Sequence, residues 1–146
     1  MLVILDTSVL ISLLVARGES YARETLKLAL QQKIILIASE ATFEELRKTL
    51  KSIKIKKQMH YKSTKIGSFI AWYKYNARFI EVTKQITDNN NLRDASDVIF
   101  LSLAKSAKAD YLLTIDKDLL VLKKYEKTVI LTPEQFMRNI VNKNPN

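Results

Sequence analysis

The chain has 146 residues, enough for one domain and too few for two, and its 47% hydrophobic content can bury a sizeable core. It has no cysteine and a single histidine, His60, which excludes disulfides, thiolate nucleophiles, zinc-thiolate knuckles, iron–sulfur ligand sets and any site needing two imidazoles. The net charge of +9 is concentrated: residues 46–80 carry ten Lys or Arg and no acid, so the rest of the chain nets −1.

The opening MLVILDTSVLISLLVA has no preceding Lys or Arg and is interrupted by Asp6, so it reads as a buried strand and a following helix, not as a secretory segment. The strand is the apolar run 2–5, continuous as expected of a strand covered on both faces. Helices are expected over 9–16 and 21–32, separated by the break at Arg17-Gly18-Glu19-Ser20. A second buried strand lies in 33–38, and Ser39 is placed to cap the helix carrying Phe43, Leu46 and Leu50 at helical spacing. Ile66, Phe69, Ile70, Tyr73 and Ala77 form a helical stripe that reads as core. Trp72 and Tyr75 fall off it, open to a partner, an RNA or a second copy of the chain.

A third, weaker strand is expected at 79–83, followed by the Asp88-Asn89-Asn90-Asn91 loop, a helix over 94–107, a strand at 111–115, a short helix at 118–124 and a strand at 129–131. Thr132-Pro133-Glu134-Gln135 then combines a capping Thr, Pro at the first helical position and Gln at the third, which opens a terminal helix. Short strands alternating with helices, too far apart for tight hairpins, indicate an α/β three-layer α/β/α sandwich around a mostly parallel sheet of four to five strands. It is one domain, 1–141, with a frayed tail at 142–146. No stretch approaches the ~20 uninterrupted apolar residues of a membrane span, so the expected location is the cytoplasm, with no membrane partner.

Chemistry is carried by acids. Asp6, Glu45, Asp94, Asp97 and Asp116 each adjoin apolar chain, and ligands of open parallel sheets bind at the carboxyl ends of strands, where Asp6 and Asp116 fall. Carboxylates brought together repel unless a cation or protons neutralise them. All-oxygen ligation points to magnesium or manganese over zinc, and such an ion polarises water for attack on a phosphodiester. Structural readings stand beside this one: Asp6 and Asp94 can each cap a helix, Asp94 and Asp97 can be a capping pair, and Asp116 and Asp118 can favour the start of a short helix. Glu45 lies away from the Phe43, Leu46 and Leu50 stripe, and pattern alone does not separate it from Glu44. With only Gly18 and Gly67 there is no Gly-rich phosphate loop. The basic block either attracts a polyanion, with binding that falls steeply with salt, or is a solvated helical face.

The segments ILDTSVLIS, IILIASEATFEELRKTL and RDASDVIFLSLAKSAKADYLLTIDKDLLVL, followed by ILTPEQF, resemble the PIN (PilT N-terminus) domain nucleases over nearly the whole chain, and the third resembles the VapC-like toxins of toxin–antitoxin systems. The resemblance selects Glu45 over Glu44. It implies a catalytic metal site for Mg2+ or Mn2+ from Asp6, Glu45, Asp97 and Asp116, with Asp94 as an extra acid and Thr7, Thr114 and Asp118 as supporting groups. Ala95-Ser96 stands where the subgroup commonly has a Pro-acid pair, which bears on the role of Asp94. Lys54, Lys56, Lys57 and Arg93 would contact the RNA backbone. The implied function is an endoribonuclease leaving 5′-phosphate and 3′-hydroxyl ends, with a cognate antitoxin protein and a homodimer as partners. The rival expectations are a housekeeping RNA-processing nuclease, and a non-catalytic RNA-binding or protein-interaction module using 46–80.

Overall fold

The computed structural model describes residues 1–52, 63–86 and 95–143. Among them the chain runs β1 (Leu2–Leu5), α1 (Thr7–Val15), α2 (Tyr21–Leu30), β2 (Ile35–Ala38), α3 (Glu40–Lys51), α4 (Ser63–Asn76), β3 (Arg78–Phe79), α5 (Ala95–Ala107), β4 (Tyr111–Leu113), α6 (Lys117–Leu120), β5 (Lys124–Tyr125), β6 (Thr128–Leu131) and α7 (Pro133–Lys143). The strands form one sheet in the order β3-β2-β1-β4-β6-β5. All neighbours are parallel except β5 and β6.

The apolar runs behave as two-sided strands because each alternate side chain enters a different core. Val3 and Leu5 of β1, Leu36 and Ala38 of β2 and Leu113 of β4 face one cluster, with Val9, Phe43, Leu46, Leu50, Tyr73 and Phe136 from the helices on that side. Ile4, Ile37, Leu112 and Ile130 face the other, with Phe100, Leu101 and Leu103 of α5 and Leu119 of α6. Helices therefore cover both faces, and the α/β/α layering expected from the alternation of elements is the one observed. The α4 stripe also packs as expected: Ile66, Tyr73 and Ala77 are buried, and Phe69 and Ile70 lean on the same cluster.

Local capping sets where helices start. Ser39 Oγ accepts from the Thr42 N–H at 3.2 Å while Thr42 Oγ1 accepts from the Ser39 N–H at 3.0 Å, a reciprocal box that turns the chain from β2 into α3 without a spacer. Thr132 and Gln135 repeat the device at α7, with Gln135 N–H donating to Thr132 Oγ1 at 3.2 Å and Gln135 Oε1 accepting from Thr132 N–H at 3.0 Å.

Two expectations are corrected. The helix expected over 118–124 stops at Leu120, because Lys123 and Glu126 adopt left-handed φ values of 59° and 51° and fold the chain into an antiparallel β5–β6 hairpin. This adds a sixth strand to the four or five expected. The strand expected at 79–83 is shorter, Arg78–Phe79, and sits at the sheet edge with one neighbour. The loop at 88–91 lies outside the described residues, as does the tail from 144 onward.

Candidate active site

From β1 the chain crosses first to β2 and β3 on one side of the sheet and then returns to β4 and β6 on the other. The strand order thus reverses between β1 and β4, and the carboxyl ends of two strands at such a reversal leave a crevice in which ligands bind. Asp6 follows β1 directly, and Asp116 lies just beyond β4. A cavity of about 260 Å³ opens there, lined by Asp6, Glu45, Asp97 and Asp116 together with Thr7, Ser8, Ile11, Thr49, Ser96 and Phe100. Four acids separated by more than a hundred positions in sequence thus share one wall.

Asp6 is 7% exposed. It occupies the position before α1, but its side chain caps no N–H of the helix interior. Instead Oδ2 accepts from Ser8 Oγ at 2.8 Å and from Thr114 Oγ1 at 2.7 Å. Burial raises its pKa above the usual 3.8, the hydroxyls of Thr114 and Ser8 and the Thr7 N–H pull it back down, and the nearby Asp116 charge raises it further. The ionised form of Asp6 is thus held by dipoles, with no Lys or Arg among the described residues that line the cavity.

Asp116 does cap a helix: its Oδ1 accepts from the Asp118 N–H at 2.9 Å, at the start of α6. Thr114 Oγ1 accepts from the Asp116 N–H at 3.0 Å, so one hydroxyl joins Asp116 to Asp6. Asp118 is exposed, and among the described residues its bond to Asp116 is made by its backbone N–H. Asp97, in the first turn of α5, is 3% exposed.

On α3 the geometry separates the two glutamates. Glu44 is exposed and pairs with Arg47 at 3.3 Å, whereas Glu45 is half-buried and lines the cavity. Phe43, Leu46 and Leu50 are the buried side of that helix, and Glu45 sits on its flank, on the cavity wall it shares with Asp97 of α5. Asp94, Arg93, Lys54, Lys56 and Lys57 lie outside the described residues, as does His60.

Whether these residues suit a divalent ion can be tested on the donor set. Every polar group on the wall is an oxygen donor, and Asp6, Glu45 and Asp116 make no ion pair among the described residues. Thr7 Oγ1 is buried without a hydrogen-bond partner among the described residues, on the same wall. Hard, oxygen-only ligands and an uncompensated buried carboxylate fit magnesium or manganese. Among the described residues no three His, Asp or Glu stand close enough together to hold one ion as a cluster. Sequence reasoning did not single out Ser8, Thr49 or Ser96; Ser8 carried a signal, two residues after an acid in a strand-to-helix turn.

A family model described as PIN domain matches residues 2–118. A search among curated proteins finds no match. Among solved structures, the chain is similar to VapBC2 from Rickettsia felis, crystallised with a DNA fragment from its promoter. Identity there is 16% and the TM-score 0.62, over 89% of this chain and 97% of that one. It is also similar to PAE2754 from Pyrobaculum aerophilum, at 16% identity and a TM-score of 0.54 over 93% of this chain and 87% of the other. The structural likenesses concern the fold, and the family match spans the strands and helices that carry all four acids: the chain belongs to the PIN domain family, whose members are nucleases.

Proposed function

We propose that the protein is a magnesium- or manganese-dependent endoribonuclease and the toxin of a toxin–antitoxin pair. The observation that carries the nuclease reading is the convergence of Asp6, Glu45, Asp97 and Asp116 on one cavity at the strand-order reversal. These four would hold the ion. When bound, it neutralises the carboxylates and the phosphodiester and makes water a competent nucleophile at neutral pH. The chain's own part is placement: Ser8 and Thr114 fix the Asp6 carboxylate, and Thr114 ties it to the Asp116 backbone. Ile11 and Phe100 form the apolar part of the wall.

The toxin role is favoured by likeness to a VapBC2 assembly over 97% of that chain, and a cognate antitoxin is the partner it implies. The charge of residues 46–80 suits an RNA backbone. Tyr75, 89% exposed, and Trp72 border a groove of about 480 Å³ whose wall mixes Leu30 and Ile34 with Gln32, Asn76 and Arg78, and a second copy of the chain is the partner proposed for it. No helix among the described residues is long and apolar enough to cross a membrane; cellular RNA in the cytoplasm is the substrate proposed.

Titrating cleavage of RNA against magnesium, manganese and chelator tests the reading. Cleavage that rises with either ion and vanishes with chelator is expected. Salt-sensitive RNA binding indifferent to chelator, with no cleavage under any divalent ion, would instead make the basic segment the functional part of a binding module.

A further inference from the structure

The turn between β1 and α1 and the loop after β4 are joined by two hydroxyls whose proton directions the geometry fixes. Thr114 Oγ1 lies 3.0 Å from the Asp116 N–H and 2.7 Å from Asp6 Oδ2. Ser8 Oγ lies 3.2 Å from the Ile115 N–H and 2.8 Å from the same Oδ2. A backbone N–H can only donate, so each hydroxyl accepts there and gives its single proton to the carboxylate. Both protons are then committed, and the 3.5 Å approach of Ser8 Oγ to Thr114 Oγ1 is a contact between acceptors, not a bond. The result is a clasp in which two consecutive amides of the post-β4 loop are each linked, through one hydroxyl, to one oxygen of Asp6.

From this arrangement we infer that Ser8 is a positioning residue of the active site, which with Thr114 occupies Asp6 Oδ2 and so directs a divalent cation to Oδ1, at a fixed distance from Asp116. The inference rests on the metal-dependent reading of the site. The role is specific to a hydroxyl: it must accept from Ile115 and donate to Asp6 at once, which alanine cannot do and threonine can. Ser8 is half-buried in the first turn of α1 and outside the apolar clusters, so its loss leaves the core intact. Groups that orient a metal ligand typically matter 10- to 100-fold for ion affinity or activity.

The experiment compares wild type, Ser8→Ala, Ser8→Thr and Asp97→Asn as full-length chains, each measured for Mn2+ affinity by calorimetry, thermal midpoint without metal, and RNA cleavage. Mn2+ binding in Ser8→Ala is expected to weaken between about 10- and 100-fold, with cleavage falling in parallel. The metal-free midpoint should stay near wild type and Ser8→Thr should recover the affinity. Wild-type Mn2+ affinity in Ser8→Ala overturns the inference, as does a loss that Ser8→Thr does not repair or that follows a collapse of the metal-free midpoint. The parent reading fails separately, when Asp97→Asn binds Mn2+ as tightly as wild type; Ser8→Ala behaving as wild type while Asp97→Asn loses binding sinks only the role of Ser8.

Discussion

At Asp6 the proposed function and the stability of the fold pull in opposite directions. Its carboxyl is buried and faces the Asp116 charge, so its folded pKa is raised above 3.8. Below pH 3.8 both folded and unfolded chains carry a protonated Asp6 and no penalty exists. As pH rises, the unfolded chain ionises first, so stability falls until the folded pKa is passed and the penalty is complete. Asp6→Asn keeps an oxygen for the Ser8 and Thr114 hydroxyls and removes the charge. The metal-free variant should therefore melt above wild type at neutral pH, converge with it near pH 3, and cleave no RNA; thermal scans at the two pH values check this. The neighbouring glutamates make a second contrast. Glu44→Gln removes an exposed pair with Arg47, which is worth no more than about 1 kcal/mol, and should cleave normally. Glu45→Gln removes a cavity carboxylate and should lose most activity with its unfolding midpoint unchanged.

At the scale of elements, the site depends on caps and crossovers. The Ser39 and Thr42 box starts α3 immediately after β2 and so sets where Glu45 falls along the helix. Ser39→Ala should cost about 1 kcal/mol, as N-cap losses typically do, read as a lower urea midpoint at unchanged m-value, with activity retained per folded molecule. Such caps were legible in sequence because a hydroxyl between a β-run and a helical stripe has a local meaning. The same holds for Asp6 and Asp116, which end apolar runs. The β5–β6 hairpin was not legible, since its left-handed positions are held by Lys123 and Glu126 and no Gly or Asn marks the turn. Glu45 was ambiguous for a related reason. The helical stripe predicts the inward face, and Glu45 lies on the flank that shares a cavity with Asp97 of α5, a meeting set by packing between helices far apart in sequence. Ser8 carried a local signal in its closeness to Asp6, but its second partner, the Ile115 N–H, is 107 residues away and leaves no trace in sequence.

For the whole molecule, the parallel topology is what makes a site of scattered acids. Reversal of strand order between β1 and β4 places two carboxylates at adjacent strand ends, and helices from opposite faces of the sheet bring Glu45 and Asp97 over the same edge. The alternation of short apolar strands with helices was enough to read the layering, since burial on both faces leaves its mark on composition. The pattern placed Asp6 and Asp116 on one edge of the sheet, but that Glu45 and Asp97 join them was visible only through the resemblance of the motifs, because no spacing in the chain encodes which helix flanks meet. On the function proposed above, these four acids make the protein a metal-dependent ribonuclease. The most direct measurement is cleavage of mixed cellular RNA by wild type and Asp97→Asn in Mg2+ or Mn2+, with fragment ends mapped. Wild type should release fragments with 5′-phosphate ends and the folded Asp97→Asn protein none; full activity in Asp97→Asn would leave the acids without a catalytic part.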